Sequence, residues 1–202
     1  MKILEPALVL PLFICSLFHF ASALWPIPRS LQTGTTLLKL SPKFDIQVTG
    51  ISNPPQDLLD AISRTMSHLH NDRLQRLVVG RGANDGAALE DAPSLARLTL
   101  SLTPNSPAIQ SILEEATKEI TTRSEAYSLT VPTTNQGVAT LTANSSLGLL
   151  RGLTTFEQLW YQLSETTYSY QAPVQITNDS PAYVRVPIMI CSMTICLSCF
   201  PF

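Results

Sequence analysis

His68 and His70 are the first side chains to weigh for chemistry. They lie two apart on a segment of helical periodicity, so they diverge by roughly 200°. They cannot chelate a metal as the i, i+4 histidines of H-E-x-x-H do, and they read as solvated helix residues. Gly80, Gly82 and Gly86 are spaced G-x-G-x-x-x-G, one position off a dinucleotide fingerprint. No convincing helix follows on which a pyrophosphate could sit, so the segment reads as a loop. Glu90-Asp91 and Glu114-Glu115 are carboxylate pairs of the kind that supports glycoside hydrolysis. Both are expected in polar, exposed segments with no burial to raise a pKa. No G-x-S-x-G elbow is present. The residues therefore nominate no catalytic group, no metal site and no cofactor site. What remains is covalent modification. Asn144-Ser145-Ser146 and Asn178-Asp179-Ser180 are N-glycosylation acceptors, the second disfavoured by Pro181.

Elements able to position a site lie between two unusual ends. The chain has 202 residues and a net charge of −2, with only 14% charged residues. That length suits one domain, and that charge speaks against a nucleic-acid partner. The charge deficit, against about 25% in typical domains, sits at the termini. Lys2 precedes an apolar run from Ala7 to Phe20, then Ala21-Ser22-Ala23. This is the order of a secretory signal peptide over 1–23, too short to span a bilayer, so the chain is expected to be secreted. At the other end, residues 186–202 (VPIMICSMTICLSCFPF) carry no charge and hold Cys191, Cys196 and Cys199. With Cys15 in the signal segment, the mature chain is left an odd number of thiols. A zinc site is not expected, because the tail offers neither a fourth ligand nor a His.

Between the ends, strands are expected over 35–40 and 44–48, and a helix after Asn53-Pro54-Pro55 carries Leu58, Leu59, Ile62, Met66 and Leu69. Leu98, Leu100 and Leu102 alternate as a strand. Ser106-Pro107 is a candidate start for a second helix through Ile109, Ile112, Leu113 and Ala116. Strands over 125–131 and 137–142 precede the strongest helix. It starts at Asn144 or Ser145 and carries Leu147, Leu150, Leu153, Phe156, Leu159 and Trp160. A last strand covers 174–177. Strands with two or three interposed helices make an α/β or α+β sandwich.

These segments carry a resemblance. Leu24-Trp25-Pro26-Ile27-Pro28 resembles the mature opening of eukaryotic, fungal-like β-N-acetylhexosaminidases of glycoside hydrolase family 20. Glu125-Ala126-Tyr127-Ser128-Leu129 is similar to that family's E-S-Y-x-L strand. The run 147–159 (LGLLRGLTTFEQL) is similar to its G-x-x-R-G-x-x-T-x-x-Q-L helix. The run 176–183 (ITNDSPAY) resembles the lead into its catalytic barrel. The resemblance implies that residues 24–185 form a zincin-like N-terminal domain, a helix-covered sheet with no metal and no catalytic residue. It also implies an activity, removal of terminal N-acetylhexosamine from chitin oligomers or glycans, carried by an Asp-Glu pair in a following barrel. This chain contains no Asp-Glu dipeptide. The open reading frame is expected to leave the family pattern at Val186, through a retained intron or a gene-model error.

Three functions follow as expectations. The first is the N-terminal domain of a secreted hexosaminidase, inactive without its missing barrel partner. The second is a stand-alone glycan-binding module, for which Trp160, Tyr161, Tyr168 and Tyr170 would have to be exposed. The third is a protein held on a membrane by its tail; no membrane association is the preferred expectation, since seventeen residues with Pro187 and Pro201 are marginal for a span.

Overall fold

A computed structural model describes residues 24–180. The expected signal segment 1–23, the tail 186–202 with its three cysteines, and Pro181 to Arg185 lie outside the described residues. Among the described residues, six strands and four helices follow in the order β1 (Leu31–Val48), α1 (Gln56–Asn71), α2 (Gly86–Glu90), β2 (Ser94–Leu102), α3 (Ile112–Thr117), β3 (Tyr127–Val131), β4 (Gly137–Ala143), α4 (Ser146–Glu157), β5 (Tyr161–Leu163) and β6 (Thr166–Asp179). The fold is a mixed α/β sheet covered by helices, as expected.

The strand order is β1-β2-β4-β3-β6-β5, with a further pairing of β1 to β6. The first half of β1 pairs antiparallel with β6, from Leu31 against Ile176 to Lys39 against Tyr168. Its second half runs parallel to β2, ending with Val48 against Leu100. Five strands thus form a closed circuit of pairings, and β5 extends it as a hairpin with β6. The parallel pairs β1–β2 and β2–β4 need crossovers, which α1 and α3 provide.

Period-two burial is cleanest in β4, where Gly137, Ala139, Leu141 and Ala143 are buried while Val138 and Thr140 face out. Leu95, Leu98 and Leu100 of β2, Leu129 and Val131 of β3, and Leu141 form the sheet's share of the core. Leu58, Ala61 and Leu69 of α1 cover it together with Leu149, Leu153 and Phe156 of α4. Phe156 stacks on Phe44 at 6.0 Å between ring centroids and takes Trp160 edge-on at 5.4 Å.

Several boundaries differ from expectation for local reasons. The two strands expected over 35–48 are one, because Ser41-Pro42-Lys43 forms an irregularity in the register and does not end the strand. Asn53 does not cap α1: it sits in the left-handed region at φ 54°, and Pro55 stands at the cap with no side-chain bond. Helix α3 starts at Ile112 rather than after Ser106. Ser111 supplies the capping box, accepting from the Glu114 N–H while Glu114 accepts from the Ser111 N–H. The expected strand over 174–177 is the end of the longer β6. Residues 79–85 form a tight turn segment in which Gly80, Arg81 and Gly82 take left-handed φ values of 78°, 53° and 88°. The short helix α2 follows it directly, where no helix was expected.

Candidate functional site

The segments singled out by sequence meet at the end of the sheet where α4 lies over β3 and β4. Ser145 starts α4 by accepting from the Gly148 N–H at 3.0 Å, and its own hydroxyl donates to the Ser124 carbonyl at 2.5 Å. One turn on, Gly148 faces the Ala126 carbonyl so closely that an added Cβ would lie 2.6 Å from that oxygen. Gly152 repeats this against the Leu141 side chain, at 2.1 Å. The two glycines let the helix settle onto the strands.

Polar residues of the same helix reach outward along its length. Arg151 donates to Glu125 at 3.0 Å. Thr155 shares a buried hydrogen bond of 2.7 Å with the Tyr127 hydroxyl. Burial pushes that phenol up to about 12, against which the Thr155 bond works only in part. The Gln158 amide takes both backbone groups of Trp25, accepting from its N–H at 2.5 Å and donating to its C=O at 2.9 Å. Asp179, buried at the end of β6, accepts from the Arg29 N–H at 2.8 Å. Each segment behind the family resemblance therefore finds its polar partner in another such segment or beside one. The arrangement is a fastening.

The carboxylate pairs do not assemble a site. Glu90 and Asp91 are exposed. Glu115 corrects the expectation of exposure: it is buried at 6% and paired with Lys118 at 2.9 Å. The helical turn that exposes Glu114 turns its neighbour inward, and Lys118 one turn later neutralises it. Hydrogen bonding from the Ser111 backbone N–H holds the Glu114 carboxyl below its ordinary range. His68 and His70 are exposed; His68 Nδ1 lies 3.4 Å from Glu157, and His70 Nδ1 lies 2.7 Å from the Met66 carbonyl. Among the described residues no group of three or more His, Cys, Asp or Glu is placed to hold a metal ion. No helix among them is long and apolar enough to cross a membrane.

One small cavity, about 130 Å³, has His68, Asp72, Glu157, Trp160 and Tyr161 in its wall. It gathers two carboxylates and two aromatics, yet it is well below the ~300–1,000 Å³ of ligand pockets. Both Glu157 oxygens are engaged, by Thr65 and by His68. Trp160 is core, 3% exposed, and Tyr168 is fully buried, so neither offers a stacking face.

Sequence reading missed a second cluster, which has no motif to announce it. Arg76 and Tyr168 both donate to Asp85 Oδ2, at 2.6 and 2.8 Å. The guanidinium also lies 3.8 Å over the Tyr170 ring. Burial is the largest influence on Arg76 and works against its charge, but the hydrogen bond to Asp85 and the attraction of that carboxylate and of the tyrosines together raise the guanidinium's pKa. Burial and the Asp85 carboxylate push the Tyr168 phenol far up. The cluster pins the loop 72–92 to β6, with Gly82 at φ 88° packed against the Tyr168 hydroxyl.

A family model described as "beta-acetyl hexosaminidase like" matches residues 24–159. Beta-hexosaminidase subunit beta of Rattus norvegicus is 31% identical over 179 residues, covering 86% of this chain and 29% of its own. The Mus musculus subunit beta is 33% identical over 175 residues, covering 83% and 28%. The crystal structure of a Flavobacterium johnsoniae chitobiase overlays 78% of this chain and 20% of its own, with a TM-score of 0.48 and 21% identity. The chain spans less than a third of the length of the curated relatives it matches.

Proposed function

The chain belongs to the beta-acetyl hexosaminidase-like family, and we propose that residues 24–180 are the supporting N-terminal domain of an exported β-N-acetylhexosaminidase. In this reading the domain carries none of the bond-breaking chemistry. The hexosaminidase activity in the relatives' names belongs to a catalytic domain outside the described residues. The observation that carries the proposal is how the family-like residues are used. Arg151 binds Glu125, Thr155 binds Tyr127, Gln158 binds the Trp25 backbone and Asp179 binds the Arg29 N–H. A catalytic carboxylate needs an oxygen facing a cavity that holds the substrate. Glu125 Oε2 and Asp179 Oδ1 are instead used as fastenings, and neither residue lines the cavity beside His68.

Export rests on residues 1–23 as a signal segment, which makes Leu24 the first mature residue and places the chain in an oxidising compartment that permits glycosylation. The purified 202-residue chain is expected to leave a nitrophenyl N-acetylglucosaminide unhydrolysed. Turnover above that of a mock preparation would overturn the assignment of catalysis elsewhere. Recovery of the chain from the medium of a eukaryotic host, beginning at Leu24, tests export; an intact Met1 terminus on intracellular chain only would refute it.

A further inference from the structure

Asn144 stands exposed between the last residue of β4 and the cap of α4. The two serines that complete its acceptor sequence are buried. Ser145 is held by Ser124 and Gly148, and Ser146 is fully buried with its hydroxyl unpartnered. Glycan transfer reads the hydroxyl two residues beyond the asparagine, so the folded domain hides what the transferase must bind. Modification at Asn144 therefore has to precede formation of α4.

Beside Asn144 opens a cleft of about 340 Å³, within the ~300–1,000 Å³ range of small-ligand sites. The loop after β2 (Pro104, Asn105, Ser106, Pro107) forms one wall, and residues following α3 form the other. Ser106 contributes a buried hydroxyl with no hydrogen-bond partner among the described residues. A buried orphan hydroxyl costs free energy unless something satisfies it. The second acceptor offers no comparable setting. Asn178 lies within β6 at φ 45°, its N–H is donated to Ser128, and Pro181 follows its serine.

We infer that Asn144, and not Asn178, carries an N-linked glycan added to the unfolded chain, and that its innermost N-acetylglucosamine lies in this cleft and satisfies Ser106. Attachment condenses the Asn144 side-chain amide with the reducing end of a lipid-linked oligosaccharide donor. The amide nitrogen bonds to the anomeric carbon, and the lipid pyrophosphate leaves with the amide proton. The inference rests on the proposed export of the chain.

The chain is expressed in a eukaryotic secretory host with its own residues 1–23 and, in parallel, with a heterologous export signal in their place. Peptide mapping after amidase treatment in heavy-oxygen water is expected to label Asn144 alone. N144Q and S146A are expected to abolish the glycan, and N178Q to keep it. S146A removes only an unpartnered hydroxyl, so its fold is retained. A glycan in the heterologous arm alone leaves the inference standing and removes the export reading. An unmodified Asn144 in chain recovered from the medium overturns the inference.

The cleft is tested by trimming the glycan to its first sugar. The trimmed chain is expected to melt about 2–4 °C above N144D, the value of one added hydrogen bond in a domain of this size. The gap is expected to close in S106A. Equal melting of the trimmed chain and N144D overturns the seating of the sugar.

Discussion

The Gln158 side-chain amide closes a two-bond ring with the backbone of Trp25, 133 positions earlier in the chain. Through it the residue that caps the C-terminus of α4 fastens the first described residues to the domain. The Trp25 and Ile27 side chains remain outside, 80% and 62% exposed. Gln158 thus fastens backbone and buries little apolar surface, and its value lies in directional hydrogen bonds.

Replacing Gln158 with Ala removes both bonds, at about 1 kcal/mol each. The expected loss is about 2 kcal/mol, or roughly 4–8 °C in melting temperature for this size of domain. Thermal unfolding followed by circular dichroism measures it. Gln158→Glu is expected to recover only part, because a carboxylate accepts from the Trp25 N–H but cannot donate to its carbonyl.

Gly152→Ala ought to help a helix by about 1 kcal/mol on intrinsic propensity. The structure predicts the opposite sign, since the new Cβ would lie 2.1 Å from Leu141 Cδ1. Overpacking of this kind costs about 1–3 kcal/mol. Urea denaturation of G152A, L141V and the double variant checks it: the double variant should be more stable than the sum of the single effects. Strict additivity would show that the helix moves away freely.

The phenols set an alkaline limit. Burial raises Tyr127 to about 12, and Tyr161 and Tyr168 are also raised. Each binds its proton more tightly folded than unfolded, so its contribution is complete below the unfolded pKa near 10. Stability is lost as pH rises from about 10 through the raised folded values. Absorbance at the phenolate band is expected to lag the model phenol and then rise together with unfolding. Tyr127→Phe should flatten part of that slope, and an unchanged slope would refute the role given to its burial.

Asp85 Oδ2 accepts from both Arg76 and Tyr168. Asp85→Asn leaves a partly buried guanidinium without its counter-charge and is expected to cost about 3 kcal/mol. Loop 72–92 should then open. Trypsin cleavage after Arg81 is expected to accelerate at least several-fold over the unaltered chain, with fragments identified by mass. Unchanged cleavage would mean that the turn around Gly82 holds the loop by itself.

Much of the architecture was legible because it is written in short-range patterns. The stripe from Leu147 to Trp160 located α4 and narrowed its cap to Asn144 or Ser145, while Leu159 and Trp160 fall beyond the end of the helix at Glu157. Residues 137–142 were legible as a strand, and residues 24–28, 125–129, 147–159 and 176–183 pointed to the family before any contact was known. The start of α3 was not legible, since Ser106-Pro107 and Ser111 carry equally plausible cap signals and only the Glu114 bonds favour Ser111. The β5–β6 hairpin was missed because its residues, Thr166 to Gln171 among them, are polar and aromatic without an apolar alternation. They become a strand by pairing with β1.

The sequence by itself determined the helix and strand periods, the family, and the absence of any recognisable catalytic motif, since each is a property of neighbouring residues. Tertiary structure alone decided what the motif residues do. The Arg151–Glu125, Thr155–Tyr127 and Gln158–Trp25 pairs bridge 26, 28 and 133 positions. It also decided that Glu115 is buried, that Asp85 gathers Arg76 and Tyr168, and that Ser146 lies hidden beside an exposed Asn144. The physical reason is common to all of these. Hydrogen bonds and burial act over a few ångströms in space, and only the closed circuit of strands brings those distant positions within that reach.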